Sequence, residues 1–346
     1  MKKNISAAVA LSIFAAPAIA ANLENPLYMP KQGSVYSKTS AGVMYKIADD
    51  SDAHQLKNHD GATEFPIWRV HEELGYGILD NLEAYAKLGY THDGDIDRKG
   101  IHLGRAGLKY RAINTDDGWV WDLYADAQLG GIVEMSGSYA ANGFTYDNYS
   151  TGRWGFHVGT QVGKTWSKFS TAAFVEVLRT FGNDNNSIEI KEIDARKAGF
   201  GVLDRATLTA LGFTDEISVD LKSTTELNAG LKAFYQLDDR WSFGGGFTFK
   251  HHADNGVEGL ATSLDSNGNP TIATIQQAFV DGLMPIVEDM NDGFDEYILN
   301  LTAAYQMTDT MQVAVYGEYT FDESHVNSQN GTDVKAELGV RLNVQF

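Results

Sequence analysis

The sequence predicts an all-β protein that folds as a transmembrane antiparallel β-barrel of about twelve strands. Segments of about ten residues alternate apolar and polar side chains, and short and long connections alternate between them. Beyond the first part of the chain, no stretch holds the roughly twenty consecutive apolar residues that a membrane-spanning helix needs. A membrane protein without such helices must close its sheet, because hydrocarbon cannot satisfy an open sheet edge.

Each predicted strand has an apolar face and a polar face, because successive side chains of a strand point to opposite sides of the sheet. None of the six prolines falls in the middle of a predicted strand, where it would remove a ladder hydrogen bond. The predicted strands span 34–47, 65–77, 82–91, 101–113, 119–131, 152–163, 168–181, 223–237, 241–252, 294–307, 311–322 and 333–346.

The last of these segments carries the most specific signal, because it alternates strictly and ends on an aromatic residue. It resembles the C-terminal insertion signal of Gram-negative outer-membrane β-barrels, whose assembly machinery reads a final strand ending in Phe. The resemblance implies a porin-like barrel with short periplasmic turns and long extracellular loops, and Phe346 as the assembly signal. It does not indicate a subfamily. The apolar face of the segment is formed by Val334, Ala336, Leu338, Val340, Leu342, Val344 and Phe346.

The N-terminus has the pattern of a secretory signal peptide. A basic start precedes an apolar run from Ala7 to Ala16, and an A-x-A cleavage site ends at Ala20. The apolar run is too short to span a bilayer. The segment that follows either enters the lower mouth of the barrel or serves as a spacer, and its sequence favours neither. The predicted organisation is a signal peptide at 1–20, a periplasmic N-terminal lead-in at 21–33 and the transmembrane barrel at 34–346.

Aromatic residues cluster at both ends of the predicted strands. Trp119, Trp166 and Trp241 lie beside short turns, whereas Trp68 and Trp154 lie at the opposite strand ends. Tyr and Trp favour the membrane–water interface, so the two groups predict aromatic girdles above and below an apolar band.

One residue breaks the apolar face of its strand. Glu72 falls on the same side as Val70 and Leu74, near the middle of the strand. A charge facing lipid at mid-membrane costs about 2–4 kcal/mol for Lys or Arg and less for Asp or Glu. A β-bulge at Glu72 and Glu73 would turn the side chain inward.

The two longest connections, 182–222 and 253–293, contain candidate helices, and Asp204 to Leu211 is the candidate in the first. In the second, Asn269 and Pro270 provide an N-cap and a first-turn proline. The apolar residues that follow recur at helical spacing, which predicts a short amphipathic helix in the 253–293 loop. We expect it to fold over or into the mouth, and packing against the outer rim is the alternative. The apolar positions are Ile272, Ile275, Phe279 and Leu283.

The face opposite the apolar one carries charged residues of both signs in nearly equal number. Most of the net charge of −19 must therefore lie in the loops. These inward-facing charges are the candidate functional residues. The residues predicted to line the pore are Lys38, Arg69, Glu73, Lys87, Arg105, Lys109, Arg111, Asp122, Asp126, Arg153, Glu226, Lys232, Glu318, Glu337 and Arg341.

Opposite charges on adjacent strands can face each other across the barrel wall, but the sequence allows two registers. One register sets Lys109 opposite Asp122 and Arg105 opposite Asp126. The neighbouring register sets Arg111 opposite Asp122. Each facing pair of opposite charges would stabilise the sheet by about 0.2–1 kcal/mol.

The charged lumen supports two interpretations. It is either a constriction that selects solutes, or a closed, salt-bridged interior of a structural or surface-interaction barrel. An outer-membrane hydrolase is a third reading, and it would need a nucleophile beside an oriented base. His157 is followed by Val158 and Gly159, with no serine two residues later, and the chain has no G-x-S-x-G element. We therefore expect no catalytic residues.

The composition limits which binding partners we expect. The acidic net charge argues against nucleic acid, which needs a basic surface. Asp93, Asp95 and Asp97 have part of a calcium-loop spacing but lack its glycine and its bidentate glutamate, so we expect no built metal site and no cofactor. The alternative is that divalent ions bridge the acidic loops to lipopolysaccharide phosphates. The expected partners are outer-membrane lipid and lipopolysaccharide, the barrel-assembly machinery and small hydrophilic solutes. The sequence as a whole favours a porin-like channel in the cell outer membrane for passive diffusion of such solutes.

Overall fold

A computed structural model shows a closed antiparallel β-barrel. Its strands are β1 (Val35–Ile47), β2 (Ile67–Leu79), β3 (Leu82–Asp93), β4 (Arg98–Asn114), β5 (Trp119–Gln128), β6 (Glu134–Tyr139), β7 (Phe144–Asp147), β8 (Gly155–Trp166), β9 (Phe169–Thr180), β10 (Asn183–Ile190), β11 (Glu192–Asp194), β12 (Val202–Asp204), β13 (Glu216–Leu221), β14 (Thr224–Gln236), β15 (Trp241–His252), β16 (Val257–Thr262), β17 (Phe294–Thr308), β18 (Met311–Asp322) and β19 (Val334–Gln345). The structure describes residues 22–47, 66–93, 98–130, 134–139, 144–147, 153–190, 192–194, 202–204, 216–253, 257–262, 294–322 and 334–346, with Ala206 and Ala210.

Twelve long strands form the barrel wall in the order β1-β2-β3-β4-β5-β8-β9-β14-β15-β17-β18-β19. The ring closes because β1 pairs with β2 on one side and with β19 on the other, from Tyr36 opposite Gln345 to Ile47 opposite Val334. Every pairing in the ring is antiparallel. The predicted all-β barrel of twelve strands is confirmed.

The predicted strand boundaries differ from the observed ones by at most three residues. The largest shift is in β8, which was predicted at 152–163 and spans Gly155–Trp166. The connection after β3 is shorter than predicted, because β3 continues to Asp93 and β4 begins at Arg98. Ladder hydrogen bonds extend this hairpin beyond the point at which the alternation of the sequence weakens.

The two ends of the barrel differ. The first described residue, Asn22, the C-terminal Phe346 and five short turns share one end, where the turns span 80–81, 115–118, 167–168, 237–240 and 309–310. At the other end, strands within the longer connections pair in the order β4-β6-β7-β10-β13-β16 and extend the wall on one side.

The predicted signal peptide and the helix predicted from Asn269 lie outside the described residues. No helix in the described part of the chain is long and apolar enough to cross a membrane.

The barrel is apolar outside and polar inside, the reverse of a soluble protein. Leu231, Leu301 and Leu338 are more than 60% exposed on the exterior. Asp122 and Asn343, by contrast, are completely buried on the inner side. A continuous exposed apolar surface of this extent requires an apolar environment, as the hydrocarbon of a bilayer provides. The exposed aromatics at the two strand ends include Tyr76, Tyr110, Trp119, Trp166 and Trp241 at the short-turn end and Tyr45, Trp68, Tyr90 and Trp154 at the other.

Glu72 stays on the exterior. The β2–β3 register runs without a shift through Glu73 opposite Lys87 and Glu72 opposite Leu88, so the bulge that would turn Glu72 inward is absent. Two hydroxyl groups of β1 instead donate hydrogen bonds to the Glu72 carboxylate. Ser37 donates to Glu72 Oε1 at 2.6 Å, and Thr39 donates to Oε2.

A bulge settles the choice between the two registers of β4 and β5. The ladder shifts between Arg111 and Ile113, so that Ala112 has no partner on β5. Arg111 consequently lies opposite Asp122, and Lys109 lies opposite Tyr124. The second predicted register is the observed one.

Candidate pore and its N-terminal plug

The residues before β1 fold into the short-turn end of the barrel. We call residues 22–30 the plug segment. Local hydrogen bonds shape it into consecutive turns: Asn25 N–H donates to the Asn22 carbonyl at 3.1 Å, and Tyr28 N–H donates to the Asn25 carbonyl at 3.0 Å. The Asn25 side chain also accepts from Leu27 N–H at 2.9 Å. Asn side chains favour such turns because they bond nearby backbone groups.

Hydrogen bonds from the plug segment reach strands that are well separated around the barrel wall. The Asn22 amide donates to Gln236 on β14 and to Ser242 on β15, at 2.8 and 2.9 Å. Glu24 accepts from Arg341 and Asn343 on β19, at 2.9 and 2.7 Å. The segment therefore crosses the lumen and is held by its own polar groups.

On the opposite wall, backbone carbonyls of the plug segment accept hydrogen bonds from inward-facing side chains. Arg111 donates to the Leu27 carbonyl at 2.7 Å, and Lys109 donates to the Tyr28 carbonyl at 2.8 Å. Gln161 donates to the Pro26 carbonyl at 3.0 Å. Two of the residues predicted to line the pore, Lys109 and Arg111, thus hold the chain's own N-terminal segment.

Apolar packing completes the plug. The Leu27 side chain is buried against Val120 and Ala172 on the inner wall. Gly163 makes room for it, since a Cβ at Gly163 would lie 2.6 Å from a Leu27 methyl carbon. Burial, reinforced by the charge of Glu83, raises the pKa of the Tyr28 phenol above its ordinary value, so this hydroxyl remains protonated.

Next to the plug segment lies a cavity of ≈ 490 Å³, whose lining includes charged residues from both sides of the barrel. Such a volume falls within the range of small-molecule sites, about 300–1,000 Å³. Part of its wall is uncharged and polar, at Asn300 and Thr302. Of the predicted pore residues, the cavity is lined by Lys38, Arg69, Glu73, Lys87, Lys109, Lys232, Glu318, Glu337 and Arg341.

The cavity-lining charges are largely paired with one another. Glu73 lies 3.4 Å from both Lys38 Nζ and Lys87 Nζ. Arg69 lies 3.2 Å from Glu337. These pairs brace β19, β1, β2 and β3 against one another and leave the cavity lining close to neutral.

Lys232 differs from the other cavity-lining cations. In the described part of the chain it makes no ion pair within 4 Å, and its ammonium lies 4.3 Å from the centre of the Phe174 ring. Glu318 likewise forms no ion pair among the described residues and lies opposite Glu337. These two charges remain available to a solute in the cavity.

The other predicted pore residues lie apart from this cavity. Arg105 and Asp126 face inward but are 3.9 Å apart within the wall. Arg153 precedes β8 and donates to the Lys222 carbonyl at 3.1 Å. Glu226 lies 3.9 Å from Lys250, near the long-loop end of β14.

An imidazole lies between two acids in the inner wall. His157 Nδ1 is 2.7 Å from Asp126 Oδ2, and His157 Nε2 is 3.0 Å from Glu176 Oε2. Tyr85 and Tyr124 each donate a further hydrogen bond to one of these carboxylates, at 2.7 and 3.1 Å. An ionised carboxylate only accepts, so with Asp126 and Glu176 both ionised each imidazole nitrogen donates a proton, as in an imidazolium.

Tyrosines on the inner face were missed from the sequence. Each lies directly opposite a glycine on the next strand, as Tyr36 does with Gly75 and Tyr316 with Gly339. The tyrosine ring covers the space that the glycine leaves open, a known way to stabilise glycine in sheets. Alternation predicts which face these tyrosines occupy, but the glycine partner becomes visible only when the register is known.

Within the described residues, no cluster of three or more His, Cys, Asp or Glu side chains could hold a metal ion. The groups that the wall presents are ammonium, guanidinium, carboxylate, phenol and amide. They suit reversible contacts with polar solutes.

No protein-family model and no curated protein matches this chain. Solved structures do match its fold. An outer membrane channel from Pseudomonas putida F1 has a TM-score of 0.54 at 12% identity, covering 94% of this chain and 99% of that one. The toluene transporter TodX of Pseudomonas putida gives 0.45 at 9% identity, with 91% and 89% covered. The translocator domain of the autotransporter NalP from Neisseria meningitidis gives 0.43 at 10%, with 91% and 89% covered. The chain thus has the fold of Gram-negative outer-membrane barrels.

Proposed function

We propose that this protein is an outer-membrane channel through which small hydrophilic solutes diffuse passively, with the plug segment restricting its periplasmic mouth. The observation that carries the proposal is the cavity of ≈ 490 Å³ beside the plug segment, within a wall of charged and amide side chains. An apolar exterior and a polar interior are what a membrane channel needs. The outer membrane is the location that fits this surface.

The side chains of the cavity wall favour passage of a solute over tight binding of it. Most cavity-lining cations are neutralised by a neighbouring acid, so a solute meets many weak polar contacts and few unpaired charges. Conduction requires binding that is weak enough for the solute to leave. Lys232 and Glu318, which lack an ion pair among the described residues, are the positions at which solute charge would matter most.

The plug segment must move for a solute to pass, and its attachments favour reversible release. It is held by separate hydrogen bonds and by two buried leucines, Leu23 and Leu27, each of which contributes on the order of 1–3 kcal/mol. The chain from the plug segment to β1 includes Gly33, whose φ of 81° lies in the region that glycine adopts without strain. Gly33 is therefore the position about which the plug segment would turn relative to β1.

Liposome swelling with sugars of graded size tests the proposal. Vesicles containing the full chain should swell with monosaccharides and progressively less with larger sugars. A variant lacking residues 22–30 should swell faster and admit larger sugars, whereas Lys31→Gln, which changes an exposed residue just beyond the segment, should match the full chain. Absence of swelling and of planar-bilayer conductance in both the full chain and the shortened variant would overturn the proposal.

A closed structural barrel is the second candidate, favoured by the cross-bracing of the lumen and by the plug segment itself. The two candidates differ in what Lys232→Gln does. In a channel, removing this charge should shift the ratio of cation to anion permeability toward cations. In a closed barrel, no current should exist for the substitution to alter.

A further inference from the structure

We propose that His71 and His102 form a binding site for one divalent transition-metal ion in the inner wall of the barrel. The Nε2 atoms of the two imidazoles lie 3.0 Å apart, and the ring planes meet at 76°. His71 lines the cavity, so the site is reached from the lumen. The inference concerns binding and does not depend on conduction.

The backbone of β4 directs His102 toward His71. The β3–β4 register places Leu103 opposite Gly89 but Ile101 opposite Tyr90, so His102 is the extra residue of a bulge. Arg105 points inward, so strict alternation along β4 would turn His102, three residues earlier, outward. Bulges re-aim side chains in this way and are frequent beside functional sites. His71 needs no such device, because it lies on the inner face of β2.

Gly89 provides the room for both rings. It lies on β3 between the two histidine strands, directly opposite His71. A Cβ at this position would lie 2.7 Å from His71 Cδ2 and 2.8 Å from His102 Cε1. Any other residue would push the rings apart. A bulge on one strand and a glycine on its neighbour thus act together to place two imidazole nitrogens side by side.

The separation of the nitrogens fits metal chelation. Imidazole nitrogens bind Zn²⁺ at about 2.0–2.1 Å. Two such bonds at angles between a right angle and the tetrahedral angle place the nitrogens about 2.8–3.4 Å apart. The observed 3.0 Å lies in this interval. Imidazole ligands suit Zn²⁺, Cu²⁺ and Ni²⁺, with Cu²⁺ bound most strongly.

The same separation also suits a hydrogen bond between two neutral imidazoles, in which one Nε2–H donates to the other Nε2. A metal ion would take the place of that proton, and each ring would keep its proton on Nδ1. Two protein ligands leave the remaining coordination positions to water from the cavity. The nearby guanidinium of Arg69 is paired with Glu337 at 3.2 Å, which reduces its repulsion of a cation.

Equilibrium dialysis of the folded protein in detergent, without a histidine tag, tests the site. We expect the chain to take up one Cu²⁺ ion, and Ni²⁺ or Zn²⁺ more weakly. His71→Gln and His102→Gln should each weaken binding by about tenfold or more, since even the loss of an outer-shell partner costs about that much. His92→Gln, which changes an exposed histidine on the outer face, is the matched control and should bind as the unaltered chain does.

Electron paramagnetic resonance of the Cu²⁺ form provides a second readout, because coupling to two equivalent imidazole nitrogens identifies the ligands. Heat-modifiable gel migration verifies that each variant is folded. If His102→Gln does not fold, His71→Gln alone tests the metal site, because residue 71 lies on the inner face of β2 without a bulge. Failure of the unaltered chain to bind Cu²⁺, or equal uptake by the chain and by His71→Gln, would overturn the proposal. Dialysis reports binding whether or not the barrel conducts.

Discussion

Arg111 and Asp122 face each other across β4 and β5 and form a two-point ion pair, with Nε–Oδ1 at 2.8 Å and Nη2–Oδ2 at 3.0 Å. Asp122 is fully buried and also accepts a hydrogen bond from Gln161 at 2.7 Å. The same Arg111 Nη2 donates to the carbonyl of Leu27 in the plug segment. One guanidinium therefore joins two wall strands to the plug segment.

Asp122→Asn should destabilise the barrel by about 3–5 kcal/mol, because it leaves the buried Arg111 without its counter-ion. Urea unfolding in liposomes, followed by tryptophan fluorescence, measures the change. The control is Asp117→Asn, which removes an exposed partner of Lys164 and should leave the unfolding midpoint almost unchanged. Equal midpoints for the two variants would show that the Arg111–Asp122 pair contributes little.

Glu24→Gln should loosen the plug segment. The substitution removes the charge that Arg341 faces at 2.9 Å, a contact worth about 1–3 kcal/mol. A free-energy change of that size alters the equilibrium constant for release of the plug segment about 5- to 150-fold. Single-channel recordings should therefore show more frequent or longer openings than in the unaltered chain. Openings that are indistinguishable from those of Lys31→Gln would contradict the gating role of the segment.

His157→Gln should destabilise the barrel by several kcal/mol, because Asp126 and Glu176 would lose the imidazolium between them. Adding Glu176→Gln should restore part of the loss, since it removes one of the two uncompensated carboxylates. We expect a coupling energy on the order of 0.5–3 kcal/mol from the double-mutant cycle. Strictly additive effects on the free energy of unfolding would exclude a shared charge network.

Glu72→Leu should stabilise the barrel in liposomes by about 1–2 kcal/mol, because it replaces a lipid-facing carboxyl group by an apolar side chain. The gain is limited by the hydrogen bonds from Ser37 and Thr39 that the variant gives up. Val70→Leu, an apolar exchange on the same face of β2, is the control. A loss of stability in Glu72→Leu alone would show that the carboxyl group is required where it is.

The barrel itself was predictable because alternation and turn chemistry are local. The β14 segment shows this, since it was predicted at 223–237 and found at Thr224–Gln236 with Leu227 outside and Lys232 inside. A two-residue period specifies the face of each side chain without knowledge of its neighbours. The same reasoning correctly kept Glu72 on the outer face.

The parts that were not predictable depend on contacts between distant residues. The choice of register at Arg111 is made by a bulge at Ala112, which no local pattern indicates. The bulge at His102 likewise reverses the direction that alternation assigns to it. The plug segment folds into the lumen through partners more than 200 residues away, such as Asn22 with Gln236. A short irregular segment carries no period from which such contacts can be derived.

Spin labels at two adjacent positions of β14 distinguish the two faces of a strand, of which we expect one to be covered by hydrocarbon and the other by water. The chain has no cysteine, so Leu231→Cys and Lys232→Cys can be labelled singly. In liposomes, the label at position 231 should collide with dissolved oxygen and not with a water-soluble nickel chelate, and the label at position 232 should do the reverse. A label at position 231 that is relaxed mainly by the nickel chelate would contradict the account.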